Sequence, residues 1–221
     1  MGEPVFDSDV EFLSQPFMAG AVLCRTEQGN LHVGLIYRDK DQVAILHLGW
    51  QDTLLREWQW PRLWATPNVE PERLFSVAAL CRRIWRNFNQ SRKFPYALHY
   101  TGASFTPDGQ LALEPNSQGL TCATFVLAVF SRFGVRLVAH DQWIPRPELD
   151  TEFLDAISDA GFATAQHLQL MRAEVAAGCI RVHPDEVIGA CSLELPAGFA
   201  ETCAAATSTR ALLDGDPENE T

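Results

Sequence analysis

The chain has 221 residues, of which 47% are hydrophobic, so it is long enough to bury one complete hydrophobic core. Its formal charge of −11 argues against a surface for nucleic acids or anionic membranes, because both surfaces need clustered Lys and Arg. No basic residue precedes Arg25 and no long apolar run lies before it, which predicts neither a signal peptide nor a membrane span. We therefore expect one cytoplasmic domain without nucleic-acid binding or stable membrane insertion. The sequence does not determine its oligomeric state.

The six cysteines contain no CxxC pair, the spacing that common zinc and dithiol sites use. In a chain without a secretory signal we expect such cysteines to be reduced thiols. The sequence therefore predicts a chemistry that needs no metal and no cofactor.

The N-terminal part of the chain predicts an irregular lead-in followed by strands. Residues 1–16 are polar and acidic and contain two prolines. Residues 20–25, 31–37 and 42–48 are rich in strand-forming side chains and are separated by turn signals. This pattern predicts an antiparallel meander of three strands.

Two histidines lie in the last hairpin of this meander. A loop centred on Asp39 and Lys40, of two or four residues, places His32 directly opposite His47. Directly opposed side chains point to one face with Cβ atoms about 4.5 to 5.5 Å apart, and Gly34 leaves room beside them. Such a pair can serve as a general base and its orienting partner. A loop of three or five residues would separate the histidines, and two unrelated strand histidines are the alternative.

Residues 50–64 contain four tryptophans. Trp58, Trp60 and Trp64 are candidates for lining an apolar substrate groove. Large aromatic side chains also fill hydrophobic cores, and this remains the alternative.

Three helices are predicted around the sheet. Pro71 begins a helix over residues 71–89, which carries apolar residues at helical spacing. Thr151 and Thr164 are predicted N-caps of helices over residues 151–160 and 164–177.

The segments between and after these helices are predicted from their turn residues. Residues 94–120 form a long loop with one short hairpin, 104–105 against 111–113. Residues 180–182 predict at most a short strand. Residues 204–221 predict a disordered acidic tail, so that residues 1–203 form the domain.

Cys122 has the sequence environment of a nucleophile at the start of a buried helix. Apolar residues recur at helical spacing from Phe125 to Phe133, Thr121 is a suitable N-cap, and Gly134 is a suitable stop. Cys122 then falls in the first turn, where free amides and the helix dipole favour a thiolate. An inert buried cysteine is the alternative, because free cysteine is among the most buried residue types.

Two of these segments resemble motifs of one enzyme superfamily. Residues 31–37, LHVGLIY, are similar to the His-x-Gly-Ile-Tyr strand of the papain-like, NlpC-type cysteine hydrolases, and residues 119–126 are similar to their nucleophile helix. The histidine strand comes first here, as in the circularly permuted branch that includes lecithin-retinol acyltransferase and bacterial YiiX-like proteins. A second histidine ends the hairpin in that branch, where this chain has His47. The resemblance covers about residues 17–134.

The resemblance implies an α+β papain-like fold in which an antiparallel sheet packs on the helix that begins at Cys122. It implies that Cys122 is the nucleophile, His32 the base and His47 the residue orienting that base. Tyr96 matches a tyrosine that assists the oxyanion.

The implied activity is cysteine-dependent hydrolysis of a peptide, isopeptide or cell-wall-type amide, or hydrolysis or transfer of an acyl ester. The expected partner is thus a small-molecule, peptide or acyl substrate. A non-catalytic papain-like module that binds a protein is the alternative, because Thr121 and Ala123 differ from the family's usual neighbours of the cysteine.

Overall fold

The computed structural model of the chain describes residues 5–6, 9–14, 19–58, 63–88, 94–115 and 117–215. Six strands of this part form one antiparallel sheet: β1 (Val5–Phe6), β2 (Ala19–Arg25), β3 (Leu31–Asp39), β4 (Gln42–Trp50), β5 (Thr53–Glu57) and β6 (Leu63–Ala65). Their order across the sheet is β1-β6-β2-β3-β4-β5. A separate hairpin pairs β7 (Ala103–Phe105) with β8 (Leu111–Leu113), as the sequence predicted.

Seven α-helices are present in the described ranges: α1 (Asp9–Ser14), α2 (Pro71–Phe88), α3 (Cys122–Ser131), α4 (Pro147–Asp159), α5 (Ala165–Ala176), α6 (Pro184–Cys191) and α7 (Phe199–Asp214). The predicted α+β class, the three-strand meander and the helices now seen as α2, α3 and α5 are confirmed. None of the helices in this part of the chain is both long and apolar enough to cross a membrane.

The two faces of the hairpin formed by β3 and β4 are buried against different layers, as predicted from their alternation. Val33, Leu35 and Leu46 belong to the main hydrophobic core, together with α3. Ile36 and Ile45, on the opposite face, pack in a smaller cluster with Phe12, Val22, Val43 and Trp64. Because both faces are buried, the register of this hairpin is strongly constrained.

The predicted register was wrong, because the centre of the turn lies one residue farther along the chain than predicted. The loop is centred on Lys40 and Asp41, so that Asp39 pairs with Gln42. This register places the buried ring of Tyr37 opposite the small side chain of Ala44, whereas the predicted one opposed Tyr37 to an exposed glutamine. In the observed register each residue of β3 pairs two positions farther along β4 than predicted. A shift by two positions keeps every side chain on the same face of the sheet, so the two histidines stay on one face but become diagonal neighbours.

The lead-in is more regular than predicted. β1 pairs with β6, and α1 follows it within the segment that was expected to be irregular. Phe12 of α1 packs edge-on against Trp64 with ring centroids 5.2 Å apart. This contact supplies the tertiary support that a six-residue helix needs.

The predicted start of the helix over residues 151–160 was also wrong. α4 begins at Pro147, because proline has no amide hydrogen to satisfy and its fixed φ suits the first helical position. Thr151 lies inside the helix, where its hydroxyl donates to the carbonyl of Pro147 at 2.7 Å.

The predicted disordered tail is contradicted by α7, which covers residues 204–214; residues 216–221 lie outside the described part. Buried side chains recur along α7 at Thr202, Ala206, Thr209 and Leu213. Gly189 of α6 allows the close approach, since a Cβ there would lie 2.9 Å from the Ala206 amide nitrogen. Small residues on both helices therefore replace the large apolar stripe that usually reveals such a helix.

Gly119 fits the segment before α3 against residues 94–98. The amide of Leu120 donates to the carbonyl of Pro95 at 2.9 Å, and a Cβ on Gly119 would lie 2.4 Å from that same oxygen. The facing segment is held in turn by its amides, since Tyr96 donates to Gln51 Oε1 at 2.7 Å and Leu98 donates to Glu174 Oε2 at 2.9 Å.

Gly119→Ala should therefore destabilise the fold, because backbone rather than a flexible side chain blocks the added methyl group. We expect a loss of about 1 to 3 kcal/mol in the free energy of unfolding, measured by urea denaturation. Gly161→Asn is the matched control: Gly161 has a φ of 69° with no atom within 4 Å of an added Cβ, and asparagine tolerates that conformation. Equal stability of the two variants would contradict the proposed close fit.

Candidate active site

A cavity of about 1090 Å³ opens at the end of the sheet where β2 and β4 end and β3 and β5 begin. The predicted site residues all line it: His32, His47, Tyr96 and Cys122. Its apolar wall comes from strand ends and from α4 and the loop after it, namely Trp50, Leu55, Phe153, Ile157 and Phe162. The structure thus brings together residues from four separate parts of the chain.

Cys122 is the first residue of α3, and the predicted cap at Thr121 is confirmed. Thr121 Oγ1 accepts a hydrogen bond from the Thr124 amide at 3.2 Å, and Thr124 Oγ1 accepts one from the Thr121 amide at 2.7 Å. This reciprocal cap occupies the amide of Thr124, which leaves the amides of Cys122 and Ala123 in the first turn outside it. Thr121, one of the two residues that differ from the motif it resembles, is therefore the N-cap of this helix, and Thr124 completes the cap.

The imidazole of His32 lies between Cys122 and His47. Its side chain hydrogen-bonds with the Cys122 thiol, and the Val33 amide next to it also hydrogen-bonds to that sulfur. Its Nε2 lies 2.8 Å from Nδ1 of His47. With Nε2 engaged in this way, Nδ1 is the ring nitrogen left for the thiol.

The pKa values of Cys122 and His32 shift in opposite directions. Burial opposes ionisation of Cys122, but the charge of His32 and hydrogen bonds from His32 and the Val33 amide lower the pKa of the thiol. Burial likewise opposes protonation of His32, but the charge and hydrogen bond of Cys122 raise its pKa. Both shifts favour proton transfer from the thiol to the imidazole.

His47 remains neutral beside this pair. Burial, together with the charge of His32, lowers the pKa of His47 to about 3. When His32 is protonated, a neutral His47 accepts at Nδ1, so that its own proton lies on Nε2. Glu57 faces that nitrogen, with its Oε1 3.6 Å from Nε2. This distance exceeds a hydrogen bond, and the negative charge of Glu57 contributes to raising the pKa of the neighbouring His32.

Tyr96 is buried in the lining of the same cavity, where its ring packs on Trp50 with centroids 4.1 Å apart. Burial raises the pKa of Tyr96, and the negative charge of Cys122 raises it further. The phenol therefore keeps its proton and can act as a hydrogen-bond donor inside the cavity.

The predicted tryptophan groove was wrong in its members. Trp64 lies on the same face of the sheet as His32 and His47, but it is buried against Phe12 and does not line the cavity. Trp58 is exposed beside the Arg56 guanidinium, 4.4 Å from its ring centroid, and does not line the cavity. Trp60 lies outside the described residues. Trp50 contributes to the cavity, and the remaining apolar wall comes from elements that the sequence did not connect with the site.

Sequence reasoning missed Cys24, Glu57 and Arg181, which also line the cavity. Glu57 lies on β5, which was hidden in the tryptophan-rich segment. Arg181 lies between α5 and α6 in residues 180–182, which form no strand, and no local pattern distinguishes it. Alternation along β2 places Cys24 opposite His32 in the observed pairing and was the one available signal.

Within the described ranges, no group of three or more His, Cys, Asp or Glu side chains is arranged to hold a metal ion. All six cysteines are free. Comparison with family models, with curated proteins and with solved structures found no match to the chain.

The pKa of His47 predicts how stability depends on pH. An unfolded histidine titrates near pH 6.5, whereas His47 in the fold titrates near 3, so between these values the unfolded chain binds one proton more. The stabilising contribution of neutral His47 is therefore complete above about pH 6.5 and is lost as the pH falls towards 3. The expected slope from this group is up to about 1.4 kcal/mol per pH unit.

Urea denaturation of the wild type and of His47→Asn between pH 6.5 and 4 measures this slope. The variant should lose stability less steeply on acidification, by most of one proton. Parallel pH profiles of the two proteins would show that His47 is not buried in its neutral form.

Proposed function

We propose that the chain is a cysteine-dependent hydrolase or acyltransferase that forms an acyl-enzyme on Cys122. The observation that carries this proposal is the Cys122–His32 hydrogen bond at the start of a buried helix, with the thiol pKa lowered and the imidazole pKa raised. Such a pair is the activated nucleophile that acyl transfer to sulfur requires. The substrate class is an amide or an acyl ester.

For acylation, the thiol proton resides on Nδ1 of His32 and the Cys122 sulfur attacks the substrate carbonyl carbon. The carbonyl oxygen becomes an oxyanion, which the amides of Cys122 and Ala123 at the helix start can stabilise. The protonated phenol of Tyr96, in the same cavity, is the candidate side-chain donor. Collapse of the intermediate breaks the bond to the leaving amine or alkoxide, which takes the proton from His32.

Deacylation reverses the roles. Water, or an acceptor alcohol or amine, gives a proton to His32 and attacks the thioester carbonyl, which releases the product and restores the thiol. His47 holds the ring of His32 through the 2.8 Å contact between their nitrogens. Glu57 favours the proton on His47 Nε2 and thereby keeps His47 Nδ1 an acceptor.

This order of elements supports the permuted papain-like relationship that the motifs suggested. A histidine strand of an antiparallel sheet precedes the cysteine helix, and a second histidine lies next to the first. We propose on that basis that the α+β fold is of the papain-like, NlpC-type class.

Thiol alkylation tests the proposed nucleophile. Iodoacetamide at pH 6 should label Cys122 before the other cysteines, as read by peptide mass spectrometry. Cys24 is the internal control: it lines the same cavity, but burial and the negative charges of Cys122 and Glu57 raise its pKa to about 12. Labelling of Cys24 with Cys122 unreactive would refute the proposal and favour a non-catalytic module.

His32→Ala should lower the rate of Cys122 alkylation at pH 6 by about 100-fold, because a thiol with a pKa near 8.5 is only about 0.3% ionised there. His47→Ala should lower the rate less, since it removes only the group that orients the base. Equal and negligible effects would mean that neither imidazole acts on the nucleophile.

Glu57 is testable as a positioning residue. Glu57→Leu should lower the alkylation rate at pH 6 by about two- to fivefold and move the pH dependence of the rate to higher pH. A rate change of this size is expected because Glu57 is half-exposed and solvent screens its charge. Glu57→Gln should recover part of the loss, because its amide oxygen still faces His47 Nε2. Glu27→Leu is the matched control, an exposed carboxylate at the same cavity. Equal effects of the Glu27 and Glu57 leucine variants would indicate general electrostatics instead of positioning.

A further inference from the structure

Arg181 is a buried positive charge in the wall of the Cys122 cavity. Arg181 as a whole residue is 8% exposed. The other Arg and Glu residues that line this cavity in the described chain, Arg25, Glu27 and Glu57, are partly or fully exposed. A buried charge costs several kcal/mol in desolvation unless partners compensate it, so its placement next to the nucleophile requires an explanation.

Three contacts fix the position of Arg181. Nη1 donates to Oδ1 of Asp150 at 3.2 Å, and Asp150 is 1% exposed and does not line the cavity. The guanidinium lies over the ring of Phe153 at 3.7 Å from its centroid. The carbonyl of Arg181 accepts a hydrogen bond from Arg146 Nη2 at 2.9 Å, which fixes the backbone as well. The guanidinium is thus held in place before any ligand arrives.

The hydrogen-bonding capacity of Arg181 exceeds what these contacts use. A guanidinium has five N–H donors, and Nε of Arg181 has no acceptor among the described residues although it is buried. A buried donor without an acceptor is unfavourable, and the planar fork of arginine matches the two oxygens of a carboxylate. A carboxylate in the cavity would supply acceptors to the guanidinium N–H groups that Asp150 leaves unused.

Arg181 is also close enough to act on the reacting groups. Its charge contributes to lowering the pKa of Cys122 and opposes the raised pKa of Tyr96. The neighbouring wall is apolar, formed by Phe153, Ile157 and Phe162. A ligand that matches this wall has an apolar body and one negative group.

We propose that Arg181 binds a carboxylate of the substrate, so that the enzyme acts on amides or esters that carry a carboxylate near the scissile bond and an apolar group beside it. This inference rests on the proposed function of Cys122. The carboxylate can be the terminal one of a peptide or N-acyl amino acid, or that of an acidic side chain. A purely structural Arg181–Asp150 pair that joins α4 to residues 181–184 is the competing explanation.

Two alkylating reagents separate these explanations without a known substrate. Iodoacetate and iodoacetamide attack the same sulfur, so the ratio of their rates cancels the nucleophilicity of Cys122 and reports the local attraction for a carboxylate. The ratio in the wild type should exceed that of a free cysteine by about tenfold, as expected for opposite charges a few ångströms apart in a partly buried site. It should fall several-fold in Arg181→Met, and the imidazolium of His32 accounts for any excess over free cysteine that remains.

Arg25→Gln is the matched control, because Arg25 lines the mouth of the same cavity but is exposed and paired with Asp214. Its rate ratio should equal that of the wild type. A ratio that is unchanged in Arg181→Met would leave Arg181 with the structural role alone.

A protection experiment on the wild type needs no variant to fold. N-acetylphenylalanine should slow the alkylation of Cys122 by iodoacetamide, whereas N-acetylphenylalaninamide, which lacks only the charge, should not. Protection by the α-amide of N-acetylglutamic acid would assign the site to acidic side chains instead of chain termini. If iodoacetamide labels Cys122 readily but no carboxylate protects it, the anion site is refuted while the proposed nucleophile stands; if Cys122 does not react, the proposed function itself fails.

Discussion

The burial of the first turn of α3 is the constraint on which the candidate site depends. Nine residues of this ten-residue helix, Cys122 to Phe130, are buried, so its N-terminal amides cannot rely on bulk water. The reciprocal cap of Thr121 and Thr124 resolves this and fixes the helix start at Cys122. The Val33 amide then joins the sulfur to β3, which sets the distance between helix and sheet at the point where His32 lies.

The sequence predicted this arrangement well where a local rule applies. The cap residue, the helix start and the two hairpin faces follow from threonine chemistry and from strand alternation. The turn position was wrong because Asp39 and Lys40 carry no local signal that outweighs the packing of Tyr37 against Ala44. The pairing of His32 with His47 nevertheless held, since the error preserved parity and an imidazole can span a diagonal pair.

Features that depend on tertiary contacts were not accessible from the sequence. α7 buries threonine and alanine against Gly189, a contact without a strong hydrophobic periodicity. Arg181 gains its significance from Asp150, which is 31 residues away, and from the cavity beside it. The helices after residue 134, which the motif resemblance did not cover, thus contribute the buried charge and much of the apolar wall at the proposed nucleophile.

The same cavity contains two thiols, and their positions around His32 decide which one ionises. Cys24 is the direct cross-strand partner of His32, so proximity alone would favour it. Both ring nitrogens of His32 are already committed, Nε2 to His47 and the other to Cys122, and no imidazole nitrogen remains for Cys24. Burial then acts on Cys24 without compensation and raises its pKa to about 12. His47 therefore has a second effect besides orienting the base. Because it occupies Nε2 of His32, the remaining ring nitrogen can take a proton only from the thiol at the helix start.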